Sequence, residues 1–310
     1  VFVLRPLILV PAWSFYALGA HSAPDVVLAT VLADTGFWCL SAVLACAYVL
    51  NQIFDRESDA LNDKGHYLTR GLFGMRTMVA IALACFVAAS LLYQRVAPAQ
   101  QVPLILAFLL ATTYSLPPLR FCARPYFDLA ANALGYGGLA FVIGATGHGE
   151  QFADAWRNGI PWVFLVGATF LHTTILDVDG DAASGKRTTT VAVGVRVSAW
   201  IAVLLATGAV GDAAFSFVER GTRAFPVVVT LGGFLGFVTA ALLVERALRL
   251  GPVARRAARA RASSLAVQWV TAIVALTAVL RDPLMLLLLL PIVVAARAYY
   301  RARFGLAYPG

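Results

Sequence analysis

Of the chain's 310 residues, 60% are hydrophobic and 13% charged, and the mean hydropathy is +0.80. That excludes an ordinary soluble domain, in which about a quarter of residues carry charge. The net charge is +8, from 24 Lys and Arg against 16 Asp and Glu, but the cations sit in short segments between apolar runs, which fits loops beside anionic lipid and excludes a nucleic-acid surface. Cys39, Cys46, Cys85 and Cys122 show neither a CxxC nor a metal-ligand spacing, so a disulfide framework and a zinc site are excluded as well.

A membrane span needs about 20 apolar residues. Ten such runs follow one another near 3–20, 29–54, 75–94, 101–117, 127–146, 160–177, 197–217, 225–248, 264–280 and 284–302. The last two read equally as a single hairpin. The expectation is an all-α, polytopic transmembrane bundle of nine to ten spans, a single domain over 1–310, because no long polar segment exists. The first run holds Arg5, Pro6 and Pro11 and is read as a membrane helix rather than a cleaved leader. With the N-terminus in the cytoplasm, 19 of the 24 cations fall on inside segments and 5 outside, the latter being Arg95, Arg157, Arg220, Arg223 and Arg281. This bias places the chain in the cytoplasmic membrane with both of its acidic motifs at the cytoplasmic face. The stretch 250–264, LGPVARRAARARASS, lacks aromatic interleaving and reads as a solvated loop at the lipid headgroups.

The first acidic motif closes the second run. Asn51, Asp55 and Asp59 are four residues apart, so a helix carries all three on one face. Carboxylates at that spacing repel each other, and the row makes most sense with a cation between its oxygens, although a solvated helix end carries the same residues. Further on, Tyr114 and Ser115 precede Pro117 and Pro118, which stop the helix, with Arg120 and Arg124 just beyond. The second acidic motif, Asp177-Val178-Asp179-Gly180-Asp181, closes the sixth run and puts Asp177 and Asp181 on one face. Gly185, Lys186, Arg187 and Thr188 follow it directly. Two acidic rows facing each other across a cavity would hold magnesium for a polyphosphate, since Mg2+ prefers carboxylate and phosphate oxygens. Cations beside them either neutralise the acids or grip phosphate.

Single residues carry less. His172 reads as a proton acceptor or as a membrane histidine bonded to a neighbouring helix. His66 and Tyr67 lie in the loop after the first motif, and Arg5 either snorkels or serves a buried anion.

Asn51-x-x-x-Asp55-x-x-x-Asp59, followed by Asn62-x-Lys64 and Arg70-Gly71, resembles the first signature of the UbiA-type intramembrane prenyltransferase superfamily. Asp177-x-Asp179-Gly180-Asp181 with Gly185-Lys186-Arg187-Thr188 resembles the second, and Tyr114-Ser115-x-Pro117-Pro118-x-Arg120 the segment between them. The similarity runs from the second helix to about Gly194. It differs at Thr174, where many members carry a further aspartate, and at 66–70, where many read Arg-Pro; the family usually has nine spans.

The resemblance implies a helical bundle around a central cavity open to the cytoplasmic face, with the prenyl chain in an apolar tunnel. It implies two Mg2+ ions bound by Asn51, Asp55, Asp59, Asp177 and Asp181. Lys64, Arg120, Lys186 and Arg187 become candidate diphosphate grips, and Tyr114 and Ser115 would line the reacting end. The implied partners are a prenyl diphosphate, a lipophilic acceptor such as an aromatic or quinone precursor or a lipid, and the surrounding membrane lipids. A terpene cyclase of the same fold would act on the diphosphate alone. A transporter or lipid-binding protein would instead place its acids near mid-membrane or show inverted repeats. Oligomeric state is not encoded in any motif.

Overall fold

The computed structural model describes residues 2–64 and 66–305, the side chain of His66 excepted, and the regular secondary structure of those residues is all helical. Each apolar run folds as helix, some of them in more than one piece. In chain order these are α1 (Pro6–Ala20), α2 (Leu28–Ala33), α3 (Thr35–Phe54), α4 (Arg56–Leu61), α5 (His66–Thr69), α6 (Met75–Tyr93), α7 (Pro98–Ser115) and α8 (Phe127–Asn132). There follow α9 (Ala140–Gly147), α10 (Phe152–Ala183), α11 (Thr189–Val193), α12 (Val195–Arg220), α13 (Phe225–Leu248), α14 (Pro252–Arg281) and α15 (Met285–Phe304). Among the described residues, eight helical stretches are long and apolar enough to cross a membrane. Large apolar side chains such as Leu83, Leu91, Leu204, Leu235 and Leu287 face outward. A protein with this exterior is an integral, multi-pass membrane protein, because only lipid offers such a surface a favourable surrounding.

Local chemistry sets the helix ends. The Asp34 side chain accepts from the Gly36 amide at 2.8 Å and caps α3, which splits the run 29–54 into α2 and α3. Proline opens α7 and α14, where a missing amide hydrogen is no loss. A π-helical turn over Ala133–Leu139 joins α8 to α9. The stretch 250–264 is not a loop: from Pro252 onward it is the first part of α14, and Arg259 is buried there. Nine of the thirteen residues from Pro252 to Ser264 are Ala or Arg, good helix formers, and this content continues the helix below the apolar span.

The bundle closes around α1. Gly19 and Gly144 let α1 and α9 touch backbone to backbone: a Cβ on Gly19 would lie 2.0 Å from the Phe141 carbonyl oxygen, and one on Gly144 2.1 Å from that of Tyr16. Small residues at a helix crossing are the usual means of close packing in lipid. α10 packs on α12 and α14, and α3 on α6 and α7. His172 is buried and its Nδ1 lies 3.2 Å from Ser263 Oγ, so it ties α10 to α14 as an interhelical bond and stays outside the cavity described next.

Candidate active site

A cavity of about 390 Å³ runs into the bundle. One end is lined by Arg5, Asn51, Asp55, Asp59, Asn62, Lys64, Asp177, Asp181 and Lys186. The body is apolar, formed by Leu7, Ile8, Pro11, Phe15, Leu40, Leu44, Leu110, Val166, Phe170, Val270 and others. Tyr48, Tyr114 and Tyr136 lie between, with Tyr48 and Tyr136 stacked at 6.2 Å.

The first acidic row is not one straight helix. α3 ends at Phe54, Asp55 is the joint (φ −99°, ψ 12°), and α4 starts at Arg56. The turn nevertheless keeps the Asp59 amide bonded to the Asp55 carbonyl at 2.8 Å, so Asn51, Asp55 and Asp59 all reach the same cavity. Asp55 is only 3% exposed. Asn51 Nδ2 and Lys186 Nζ each donate to its Oδ2 at 2.7 Å. Arg120 approaches its Oδ1 at 3.4 Å while also donating to the Phe54 carbonyl at 3.0 Å, and Cys122 Sγ lies 3.6 Å from the same Oδ1. Burial alone would lower the Lys186 pKa, but the Asp55 and Asp181 carboxylates overrule it and hold the ammonium above its ordinary value. Burial, reinforced by Asp55, pushes the Cys122 thiol up to about 12.

The second row lies on α10, which stays helical to Ala183. Asp177 and Asp181 face the cavity, and Lys64 reaches Asp177 Oδ1 at 2.5 Å. Each acidic row is thus bridged by a lysine that follows the other row in sequence. Gly180 makes this approach possible: its amide donates to Asn62 Oδ1 at 3.2 Å, and a Cβ there would stand 2.4 Å from the Asn62 side chain. Asp179 points the other way and is held by Arg259 at 2.6 Å and Arg256 at 3.3 Å, both from the start of α14.

Several expectations meet a different arrangement. Ser115 is fully buried outside the cavity lining, with its hydroxyl unpartnered, because one residue along a helix turns the side chain by about 100° from Tyr114. Arg187 is exposed and does not line the cavity, whereas Lys186 beside it does. Arg120 serves the outer side of Asp55 and is likewise absent from the lining. Tyr67 is buried against Phe73, Tyr300 and Phe304, away from the site, and the His66 side chain lies outside the described residues. Arg5 lines the cavity, 3.8 Å from Asp59 Oδ2. Asn62, Gly180 and the Asp179 clasp carried no assignment from the sequence, though a glycine inside a helical motif and arginines at three- and four-residue spacing are the signals that mark them.

The UbiA prenyltransferase family model matches residues 8–250, most of the chain. The chain belongs to the UbiA prenyltransferase family. Among curated relatives, it is 31% identical over 217 residues to a lycopene elongase/hydratase from Haloferax volcanii, a match covering 66% of each chain. It is 32% identical over 216 residues to a digeranylgeranylglyceryl phosphate synthase from Halobacterium salinarum, covering 66% of this chain and 72% of the relative. A solved UbiA homologue from Archaeoglobus fulgidus, bound to DMAPP and Mg2+, superposes with a TM-score of 0.66 at 20% identity, covering 88% of this chain and 97% of that one. That likeness confirms the UbiA fold.

The donor set is suited to Mg2+. Asp59 Oδ2 is buried with no hydrogen-bond partner, and burial raises the Asp59 pKa despite the opposing pull of Arg5. Among the described residues no three His, Cys, Asp or Glu side chains converge tightly enough to grip an ion alone. A magnesium site of this kind relies on one or two carboxylates, with water and substrate phosphate oxygens completing the shell.

Proposed function

We propose that the protein transfers an isoprenyl group from a prenyl diphosphate to a lipophilic acceptor within the membrane and releases diphosphate. The observation that carries this reading is a single cavity with carboxylates and lysines at one end and an apolar body behind them. Prenyl diphosphates have the same two-part character. The solved homologue with DMAPP and Mg2+ and the digeranylgeranylglyceryl phosphate synthase relative support the same class of substrate.

Asn51, Asp55, Asp59, Asp177 and Asp181 are the residues assigned to two Mg2+ ions, which would offset the diphosphate's charge as the allylic carbon–oxygen bond breaks. Lys64, Lys186 and Arg5 sit within the same lining and are placed to donate to diphosphate oxygens. Lys64 and Lys186 pair with Asp177 and Asp55 and so offset two of the four carboxylates in the lining. Arg120 supports Asp55 from behind, while Arg187 and Ser115 drop out of the assignment. Tyr48, Tyr114 and Tyr136 line the cavity between its charged end and its apolar body, where an allylic cation would develop and aromatic π density would stabilise it. The apolar walls exclude water, which would otherwise capture that cation. The excess of cations on the segments that carry both motifs supports a site facing the cytoplasm.

The test is incubation of purified protein with labelled geranylgeranyl diphosphate, Mg2+ and a host lipid extract. The expected result is a labelled lipophilic product, with diphosphate release lost in Asp55→Asn and in Asp181→Asn while both variants still insert. Product formed without any acceptor would identify a cyclase. Unchanged turnover in either variant would remove the assignment.

A further inference from the structure

A second cavity, of about 320 Å³, lies at the opposite end of the bundle. It is bounded by Pro161 and Trp162 in the first third of α10, whereas Asp177 and Asp181 lie near the other end of that helix. At 1.5 Å of rise per residue the two sites are on the order of 20 Å apart.

The lining is cationic and short of acceptors. Arg220, the last residue of α12, and Arg223, in the α12–α13 connection, line it together with His21, and among the described residues no carboxylate does. Arg223 Nη1 donates to the His21 carbonyl at 2.6 Å, and Arg281 Nη2 approaches the same oxygen at 3.4 Å. Arg281 also lies 5.2 Å over the Phe225 ring, and Arg220 5.4 Å over the Phe215 ring. These partners of Arg223 and Arg281 are neutral, and the two like charges converge on one carbonyl, an arrangement that an added anion relieves; Arg220 also feels the Asp212 carboxylate.

Two polar atoms of the lining are buried without any hydrogen-bond partner, Ser216 Oγ and His21 Nε2, on residues 6% and 5% exposed. Among the nearby acids, Asp212, which acts on Arg220, does not line the cavity, and Glu150 and Asp282 are already engaged. Glu150 accepts from Asn158 at 2.6 Å and from Ser22, and Asp282 accepts from the Leu284 amide at 2.9 Å and from that of Leu28, lying 3.9 Å from His21 Nε2.

Guanidinium groups beside a free hydroxyl match the oxygens of a phosphate group. We propose that this cavity binds a phosphate-bearing anion through Arg220, Arg223 and Ser216, independently of the carboxylate-lined cavity. The phosphate belongs either to a membrane phospholipid headgroup or to a free phosphate ion, and the apolar walls at Leu18 and Trp162 accommodate both.

The test uses the full chain, delipidated in detergent, with inorganic phosphate in one arm and phosphatidylglycerol in phosphatidylcholine nanodiscs in the other. Binding is read by thermal shift for phosphate, against chloride at equal ionic strength, and by native mass spectrometry for retained lipid. Arg220→Gln with Arg223→Gln and, separately, Ser216→Ala are the variants; Ser216→Ala leaves the Arg223 to His21 contact in place and so reports even if the double variant folds poorly. The expected loss is about tenfold in apparent affinity for Ser216→Ala, the scale of one hydrogen bond to a charged group, and more for the double variant. Phosphate binding without lipid assigns the free ion, and retention of phosphatidylglycerol alone assigns the headgroup. The proposal is overturned if wild type binds neither probe, or if the variants bind as wild type does.

Discussion

The two acidic rows line one cavity but are built differently. Asp55 stands at a break between α3 and α4, 3% exposed, with Asn51, Lys186, Arg120 and Cys122 around it. Asp177 stands on an unbroken 32-residue helix, has Lys64 as its one cation partner among the described residues, and keeps 24% of its side chain exposed. In the first row, position comes from a shell of contacts. In the second it comes from the stiffness of α10, with Gly180 and Asp179 docking the end of the helix. A site held by contacts couples activity to stability, and one held by a rigid element separates them.

The sharpest break in that comparison is Asp55→Asn set beside Asp177→Asn. Both are expected to lower diphosphate release by at least about a hundredfold, because each removes a charge that the departing diphosphate's counterions need. Only Asp55→Asn is expected to destabilise strongly, by roughly 3–5 kcal/mol, since it leaves buried Lys186 without its main partner. Thermal unfolding in detergent separates the two variants. Equal losses of stability would show that the contrast between the rows is unreal.

The next effect is steric. Gly180→Ala adds a methyl 2.4 Å from the Asn62 side chain, so α10 and α4 must part or Asn62 must turn. We expect a loss of about 1–3 kcal/mol in stability and a clear drop in turnover, with Gly180→Ala/Asn62→Ala recovering part of both. Failure of the double variant to recover anything would show that the contact does not set the spacing of the rows.

A smaller effect belongs to the α14 clasp. Asp179→Asn leaves Arg259, 9% exposed at its side chain, without its closest acid. The expected cost is about 1–3 kcal/mol, with turnover falling by less than in Asp177→Asn because Asp179 points away from the cavity. Turnover lost as fully as in Asp177→Asn would place Asp179 among the ligands.

Much of this was legible before any coordinates. Four-residue spacing marked both rows, and the apolar runs marked every long helix, because hydropathy and the helical period are local properties of sequence. What stayed hidden depends on contacts between distant segments. Nothing near Asp55 reveals that the helix breaks there, since the new start at Arg56 rests on tertiary support rather than propensity. The pairing of Lys186 with Asp55 spans 131 residues. The basic stretch after Gly251 has the charge density of a loop but the alanine content of a helix, and its pairing with Asp179 reaches back across 80 residues. Thr174, where many relatives carry an acid, instead meets the Thr190 hydroxyl at 2.6 Å, a bond between α10 and α11 with no local signature.

The smallest expected effect tests how closely helical phase decides function. Tyr114 and Ser115 are adjacent, yet only Tyr114 lines the cavity, and Ser115 Oγ is buried with no partner. Replacing a buried, unsatisfied hydroxyl removes a desolvation penalty, so Ser115→Ala is expected to leave turnover within about twofold and to raise stability by up to about 1 kcal/mol. Tyr114→Leu, in contrast, deletes an aromatic face beside the developing cation and is expected to lower turnover several-fold with a smaller change in substrate KM. If Ser115→Ala impairs turnover as much as Tyr114→Leu does, the end of α7 is rotated in the working enzyme, and the second side of the cavity has to be redrawn from that residue outward.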